Sequence, residues 1–225
     1  MKKTLLTIGF ALVTLAALAA LAADTTKGVI TINGGSQAVK MDGRSGKFTP
    51  GKPPKKPLYS NFNTSSSNLY NCCTAWTVSD GTTLGAEYTA ANSFTSPRTT
   101  TTSSITAALS VAGGTGENYV ELVKDCKGMP CHVDYTKSQT MCRVLAKFSQ
   151  TFGSCCAVVK TKCVAKVQKG KTYWIVMESK PTDNTFTVWN WSDAPNANGP
   201  DMFSLNDAPW TNNGSNNPQG AFAIR

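Results

Sequence analysis

The chain has 225 residues, 40% hydrophobic and 16% charged, with 22 Lys and Arg against 13 Asp and Glu. That is the size of one ordinary domain with additional pieces. A single histidine, His132, excludes multi-His zinc sites and any relay that needs two imidazoles.

Residues 1–23 begin with Lys2 and Lys3, continue as an apolar run from Ile8 to Ala22 and end on Ala20, Leu21 and Ala22, a small-x-small cleavage pattern. The run is shorter than the roughly 20 residues a spanning helix needs, so it reads as a Sec-type signal peptide. The mature chain is then expected to be exported to the periplasm or the extracellular space, soluble and without a membrane span. Residues 24–57 read as a basic Gly- and Pro-rich linker, mostly disordered, with seven basic residues against Asp24 and Asp42. Inside it, Val29 to Ile32 running into Asn33-Gly34 signals a small hairpin with a type I′ turn. Such a hairpin is marginal in isolation.

From Leu58 to Arg225, short apolar and β-branched runs recur between Gly, Asn, Ser and Pro clusters. The expected strands are Ala75 to Val78, Glu87 to Phe94 and Ser104 to Leu109, with Ile105, Ala107 and Leu109 on one face. Tyr119 to Lys124 follows, then Met141 to Phe148, which fits helix or strand. Cys156 to Lys160, Cys163 to Val167, Thr172 to Glu178, Thr185 to Trp191 and Gln219 to Ile224 complete the set. No long amphipathic helix competes with them. The pattern predicts an all-β domain over 58–225, an antiparallel two-sheet β-sandwich of jelly-roll type.

Eight cysteines follow the signal segment: Cys72, Cys73, Cys126, Cys131, Cys142, Cys155, Cys156 and Cys163. An even number after an export signal predicts disulfides in an oxidising compartment. No C-x-x-C pair is present to support a metal cluster. Locally, Cys126 with Cys131 would close the turn Lys127-Gly128-Met129-Pro130, and the other pairings stay open.

The order of signals resembles a known group. Tyr59, Asn61 and Phe62 come first, then Trp76 and Val78, the run Ala90 to Thr95, and Ile105. Leu122, Asp125, Gly128 and Pro130 follow, then Lys169-Gly170 before Tyr173-Trp174, Trp189, and Gln219 to Phe222. This order resembles bacterial secreted choice-of-anchor β-sandwich domains, which look like galactose-binding-type jelly rolls and often sit on exported proteins with a C-terminal sorting tail. The chain departs from the pattern by ending without a Pro-Glu-Pro tail and by its cysteine content. The resemblance implies an exported module; fold analogy supplies no ligand.

Charge is uneven. The segment 58–225 holds thirteen basic and eleven acidic residues, so its surplus is only two. Within it Lys137, Arg143, Lys147, Lys160, Lys162, Lys166, Lys169 and Lys171 occur with no acid between Asp134 and Glu178. This cluster fits either a polyanion-binding face or alternating solvated lysines that guard a strand edge. Lys162 and Lys166 alternating with Cys163, Ala165 and Val167 is the pattern of the second.

No catalytic motif emerges. His132 lacks a Gly-x-Ser-x-Gly elbow or an oxyanion loop to work with, and no spacing selects a carboxylate pair. Aromatic residues offer a binding hypothesis. Trp189 and Trp191 share a strand face, Trp191-Ser192-Asp193 opens an Asn-rich loop, and Trp210 precedes Asn212 and Asn213, which together would form a glycan-binding rim. The opposing expectation places Trp174 and Trp189 in the core, Trp210 as a cap and the Asn and Asp residues in turns. No cofactor or metal ion is expected. Although Asp125, Asp193, Asp201 and Asp207 fall in predicted loops, they do not form a calcium-loop motif. The sequence therefore favours a secreted, non-enzymatic binding or structural module whose partner is a polysaccharide or cell-surface polymer rather than nucleic acid. A polysaccharide hydrolase or lyase on the same scaffold, and a basic arm docking on anionic envelope polymers, are the alternatives.

Overall fold

A computed structural model describes residues 29–32, 38–42, 56–64, 68–131, 139–154, 157–181 and 184–225. Among the described residues there is no helix, and the strands are antiparallel. In chain order they are β1 (Val29–Ile32), β2 (Ala38–Asp42), β3 (Tyr59–Ser60), β4 (Thr74–Asp80), β5 (Glu87–Thr95) and β6 (Thr100–Thr101). Next come β7 (Ser104–Ala107), β8 (Leu109–Gly114), β9 (Glu117–Lys124), β10 (Thr140–Lys147), β11 (Val159–Lys162) and β12 (Lys166–Val167). The last five are β13 (Thr172–Ser179), β14 (Thr185–Asn190), β15 (Asn198–Leu205), β16 (Thr211–Pro218) and β17 (Phe222–Ile224).

The fold is a two-layer β-sandwich with a curled main sheet. One layer runs β16-β15-β5-β13-β9-β10. Opposite it lie β4-β14-β8 and the four-stranded sheet β11-β7-β17-β3. The layers join where Ser79 and Asp80 pair with Tyr88 and Glu87. β7 and β8 are one extended segment kinked at Ala108, whose N–H bonds the Ala221 carbonyl at 3.0 Å. The kink does not disturb the side-chain alternation. Ile105, Ala107 and Leu109 all face the main core, while Ala108 faces a smaller cluster with Phe62 and Tyr70.

That alternation builds the core. On β13, Tyr173, Ile175 and Met177 face the opposite layer, and Trp174 and Val176 pack on the outer side with Ala91, Val123 and Met202. Phe94, Trp189, Phe222 and Ile224 complete the interior, each at most 3% exposed. Met141 to Phe148 resolves as a strand, because β10 pairs with β9 from Thr140↔Val123 to Lys147↔Glu117. β11 begins three residues after Cys156, and the run from Cys163 shortens to β12.

Three findings differ from the sequence pattern. β15 and β16, rich in Asn, Gly and Ser, are strands and not an open loop. β2 does not stand alone with β1: Ala38, Val39 and Lys40 pair with Trp76, Ala75 and Thr74, and Val39 is 1% exposed. Ile32 pairs with Val39, which is not the register of a two-residue turn at Asn33-Gly34.

Two disulfides are described, Cys126–Cys131 with Cα atoms 5.0 Å apart and Cys142–Cys163 at 5.8 Å. The first closes the expected turn, over which Asp125 accepts hydrogen bonds from Gly128 N at 3.1 Å and Trp174 Nε1 at 2.7 Å. The second ties β10 in one layer to the segment between β11 and β12 in the other. Cys72 is also disulfide-bonded. Burial and the nearby Asp193 raise the Cys73 thiol pKa, opposed by Lys40. Residues 1–28 and 43–55, together with His132, Asp134, Lys137, Cys155 and Cys156, lie outside the described residues.

Candidate functional site

The aromatic rim does not assemble. Trp189 and Trp191 do share a face, but that face looks inward. Trp189 is 0% exposed, and its indole N–H bonds the Ala221 carbonyl at 3.1 Å. Gly220 lies so close that a Cβ there would strike the indole. Trp191 is half-buried at the end of the same core, its ring 5.0 Å from that of Trp76. Trp210 packs with Trp174 and Met202 on the outer face of the other layer. Asp193 is exposed, with its backbone carbonyl held by Asn63 Nδ2 at 3.1 Å. Period-two spacing assigns residues to a common face without revealing whether that face meets solvent. Trp189 is thus a core residue, and Trp191 and Trp210 serve different clusters. Asp201, expected in a loop, is a buried strand residue. Among the described residues no group of three His, Cys, Asp or Glu side chains could hold a metal ion.

An ion triad with buried carboxylates joins residues far apart in the sequence. Glu121 on β9 and Glu178 on β13, 0% and 2% exposed, face Arg143 on β10. Arg143 Nε donates to Glu121 at 2.7 Å and Nη2 to Glu178 at 3.2 Å, while its guanidinium lies 3.5 Å from the centre of the Tyr119 ring. Burial pushes the Glu121 carboxyl above its usual range, opposed by Arg143. Burial opposes the charge of Arg143, yet the two carboxylates hold its pKa above the usual value. The triad clamps three strands together, and its carboxylates are closed to solvent. One clue was readable, an acid in the middle of the apolar run Tyr119 to Val123.

The same pairing dissects the cation cluster. Lys147 forms an ion pair with Glu117, and Arg143 belongs to the triad. Lys160, Lys162, Lys166, Lys169 and Lys171 are all exposed, and among the described residues none has an ion pair. They share one edge of the sandwich. β11 pairs Val159–Lys162 with Ala107–Ser104 and β12 pairs Lys166 and Val167 with Thr101 and Thr100, so the two strands run along one partner segment. Thr102 fills the break between them. Its N–H bonds the Ala165 carbonyl at 2.8 Å and its hydroxyl the Cys163 carbonyl at 2.8 Å. Burial alternates without a slip from Lys160 to Gln168: Thr161, Cys163, Ala165 and Val167 point in, and Lys160, Lys162, Val164, Lys166 and Gln168 point out. At about 3.3 Å per residue the lysines of the two strands span roughly 20 Å. The turn holding Lys169 and Lys171 is bonded to the segment 96–99, which includes the exposed Arg98, from Gly170 N to Ser96 O at 2.8 Å and from Lys169 N to Thr99 Oγ1 at 3.0 Å.

The far edge is different in kind. β16 pairs only with β15 among the described strands and exposes Thr211, Asn212, Ser215 and Asn216. Beneath it Asp201 is 0% exposed and accepts from Asn92 Nδ2 at 3.1 Å and Asn213 Nδ2 at 2.7 Å. Asn92 Oδ1 accepts from Gly220 N at 2.8 Å, and Tyr59 donates to Gln219 Oε1 at 3.1 Å. Burial raises Asp201 to about 7, the two amide donors opposing it, and raises Tyr59 to about 12. These groups saturate one another and present no charge outward.

Chemically, the β11–β12 edge can attract and align an extended anion. Neither the triad nor the amide network offers solvent a reactive group. No family model, curated protein or solved structure matches the chain.

Proposed function

We propose that this protein is a secreted, non-enzymatic binding module of the cell envelope or extracellular space, and that its ligand is a linear acidic polysaccharide lying along the β11–β12 edge. One observation carries the reading: five exposed lysines have no ion pair among the described residues, three of them on the β11–β12 edge and two in the turn that follows it. Cations left without carboxylates focus a field that draws in polyanions. The outward positions between them are Val164 and Gln168, with no aromatic platform of the kind single-stranded nucleic acids stack on. Sugar acids need no such platform. Two disulfides support an oxidising, extracellular-type compartment, in keeping with the signal peptide at 1–23. The motif order from Tyr59 to Phe222 supports membership of the choice-of-anchor β-sandwich group.

The test is retention of the oxidised protein on immobilised hyaluronan and on neutral dextran across a salt series. Expected are retention on hyaluronan alone and a fall in affinity with salt that becomes shallower as lysines are removed in Lys162→Gln/Lys166→Gln/Lys169→Gln. Equal retention on dextran, or an unchanged salt slope in the triple variant, would overturn the reading. Preferential capture of single-stranded DNA would replace the polysaccharide by nucleic acid.

A further inference from the structure

At the head of the lysine row lies a cleft of about 500 Å³, where the end of β10 meets the start of β11. That volume is typical of small-ligand sites. Its apolar wall comes from Leu109, Phe148 and Val159, and its polar wall from Ser149 and Gln150. Gln150 is held rigidly: Nε2 bonds the Tyr70 hydroxyl at 2.5 Å and Ser110 Oγ at 3.1 Å, and Oε1 accepts from Ala157 N at 2.7 Å. Such a wall is preorganised. Two lysines, Lys147 and Lys160, are among the lining residues. Lys147 is already engaged by Glu117, so Lys160 alone is uncommitted.

We infer that this cleft is a subsite for one acidic sugar unit, its carboxylate on Lys160, its C–H face against Phe148 and Val159 and a hydroxyl on exposed Ser149. A single uncommitted cation matches a monoanionic carboxylate better than a phosphoryl dianion, and an apolar wall beside polar groups matches a pyranose ring better than a compact inorganic ion. Lys160 is also the first lysine of the row, so a sugar seated here continues directly onto the edge. The inference deepens the proposed polysaccharide binding and rests on it for the class of ligand.

The experiment follows the backbone amide resonances of Ser149, Ala157, Val158 and Val159 in the mature protein during titration with sodium glucuronate, with glucose as the neutral control. Saturable shifts at these amides are expected, weaker by about tenfold or more with glucose, the loss of one charge-assisted contact. Ser149→Trp, an exposed position, should fill the cleft and abolish the shifts, and Lys160→Gln should reduce glucuronate to the level of glucose. The triple variant Lys162→Gln/Lys166→Gln/Lys169→Gln should leave the glucuronate shifts unchanged. Absence of shifts with glucuronate, or equal shifts with glucose, would overturn the subsite even if hyaluronan is still retained in a salt-sensitive way. Glucuronate shifts without any retention of hyaluronan would instead uphold the subsite and remove the polymer reading.

Discussion

Along β11 and β12 every second side chain leaves the fold and most of those are lysines, whereas β16, an end strand of the main sheet, exposes only amides and hydroxyls. Both are open edges, and both must be kept from pairing with a second chain. The lysine edge does so from the solvent side with groups that interact little with the protein. The amide edge instead turns Asn213 inward onto the buried carboxylate of Asp201. Charge on the outside leaves folding almost independent of the guard, while a buried carboxylate makes the far edge sensitive to pH.

The largest effect should come from that carboxylate. An unfolded Asp titrates near 3.9, and burial raises Asp201 to about 7 in the fold. Between these values the folded state binds more protons than the unfolded one. The stabilising contribution is therefore complete below about pH 4, is lost progressively as pH rises through about 7, and changes no further above it, a span of at most about 4 kcal/mol. Chemical denaturation between pH 5 and 8 should show stability falling with pH, and Asp201→Asn should remove most of the slope. A slope unchanged in the variant would mean that another group controls the far edge.

Next in size is the Cys142–Cys163 bridge, which ties the lysine edge to β10 with a separation of 21 residues. Replacing both cysteines by serine should cost about 3 kcal/mol on the chain-entropy account, read as a lower denaturant midpoint. Salt-sensitive retention should survive at temperatures where the variant is folded, since the lysines keep their strand alternation. Loss of retention without loss of folding would show that the edge depends on the bridge for its shape.

Asn213→Ala sharpens the contrast further. It removes one of the two amide donors to Asp201 and should destabilise by about 1–3 kcal/mol. The penalty should be greater at pH 8 than at pH 5, because the ionised carboxylate needs that donor more. Equal penalties at both values would assign Asn213 a packing role only.

The two edges also differ in how far the sequence reveals them. Lys162 to Val167 alternates polar and apolar residues with period two, and the structure preserves this residue by residue. Cys126 and Cys131 likewise sit either side of a recognisable turn. Separating free lysines from paired ones was beyond the sequence: Arg143 meets Glu121 and Glu178 at separations of 22 and 35 residues, contacts set by strand order. β15 and β16 were hidden because Asn, Gly and Ser are turn formers with weak strand preference. Pairing with β5, itself buried, overrides that preference. Trp189 shows the same limit from the other side, its face readable and its depth not.

The smallest effect on stability, and the strongest check on the contrast, belongs to the lysines. Lys160, Lys162 and Lys166 are exposed and without ion pairs among the described residues, so changing all three to Gln should move the melting temperature by less than about 2 °C. The double variant Lys160→Val/Lys162→Val is another matter. It would add two valine side chains between Val159 and Val164, making an apolar run along an edge with unpaired backbone groups, a template for pairing with a second chain. Light scattering should then report concentration-dependent association in the valine variant and none in the glutamine variant, both at native-like melting temperatures. A monomeric valine variant would show that the edge needs no guard, and the lysine row would then have ligand binding as its remaining physical rationale.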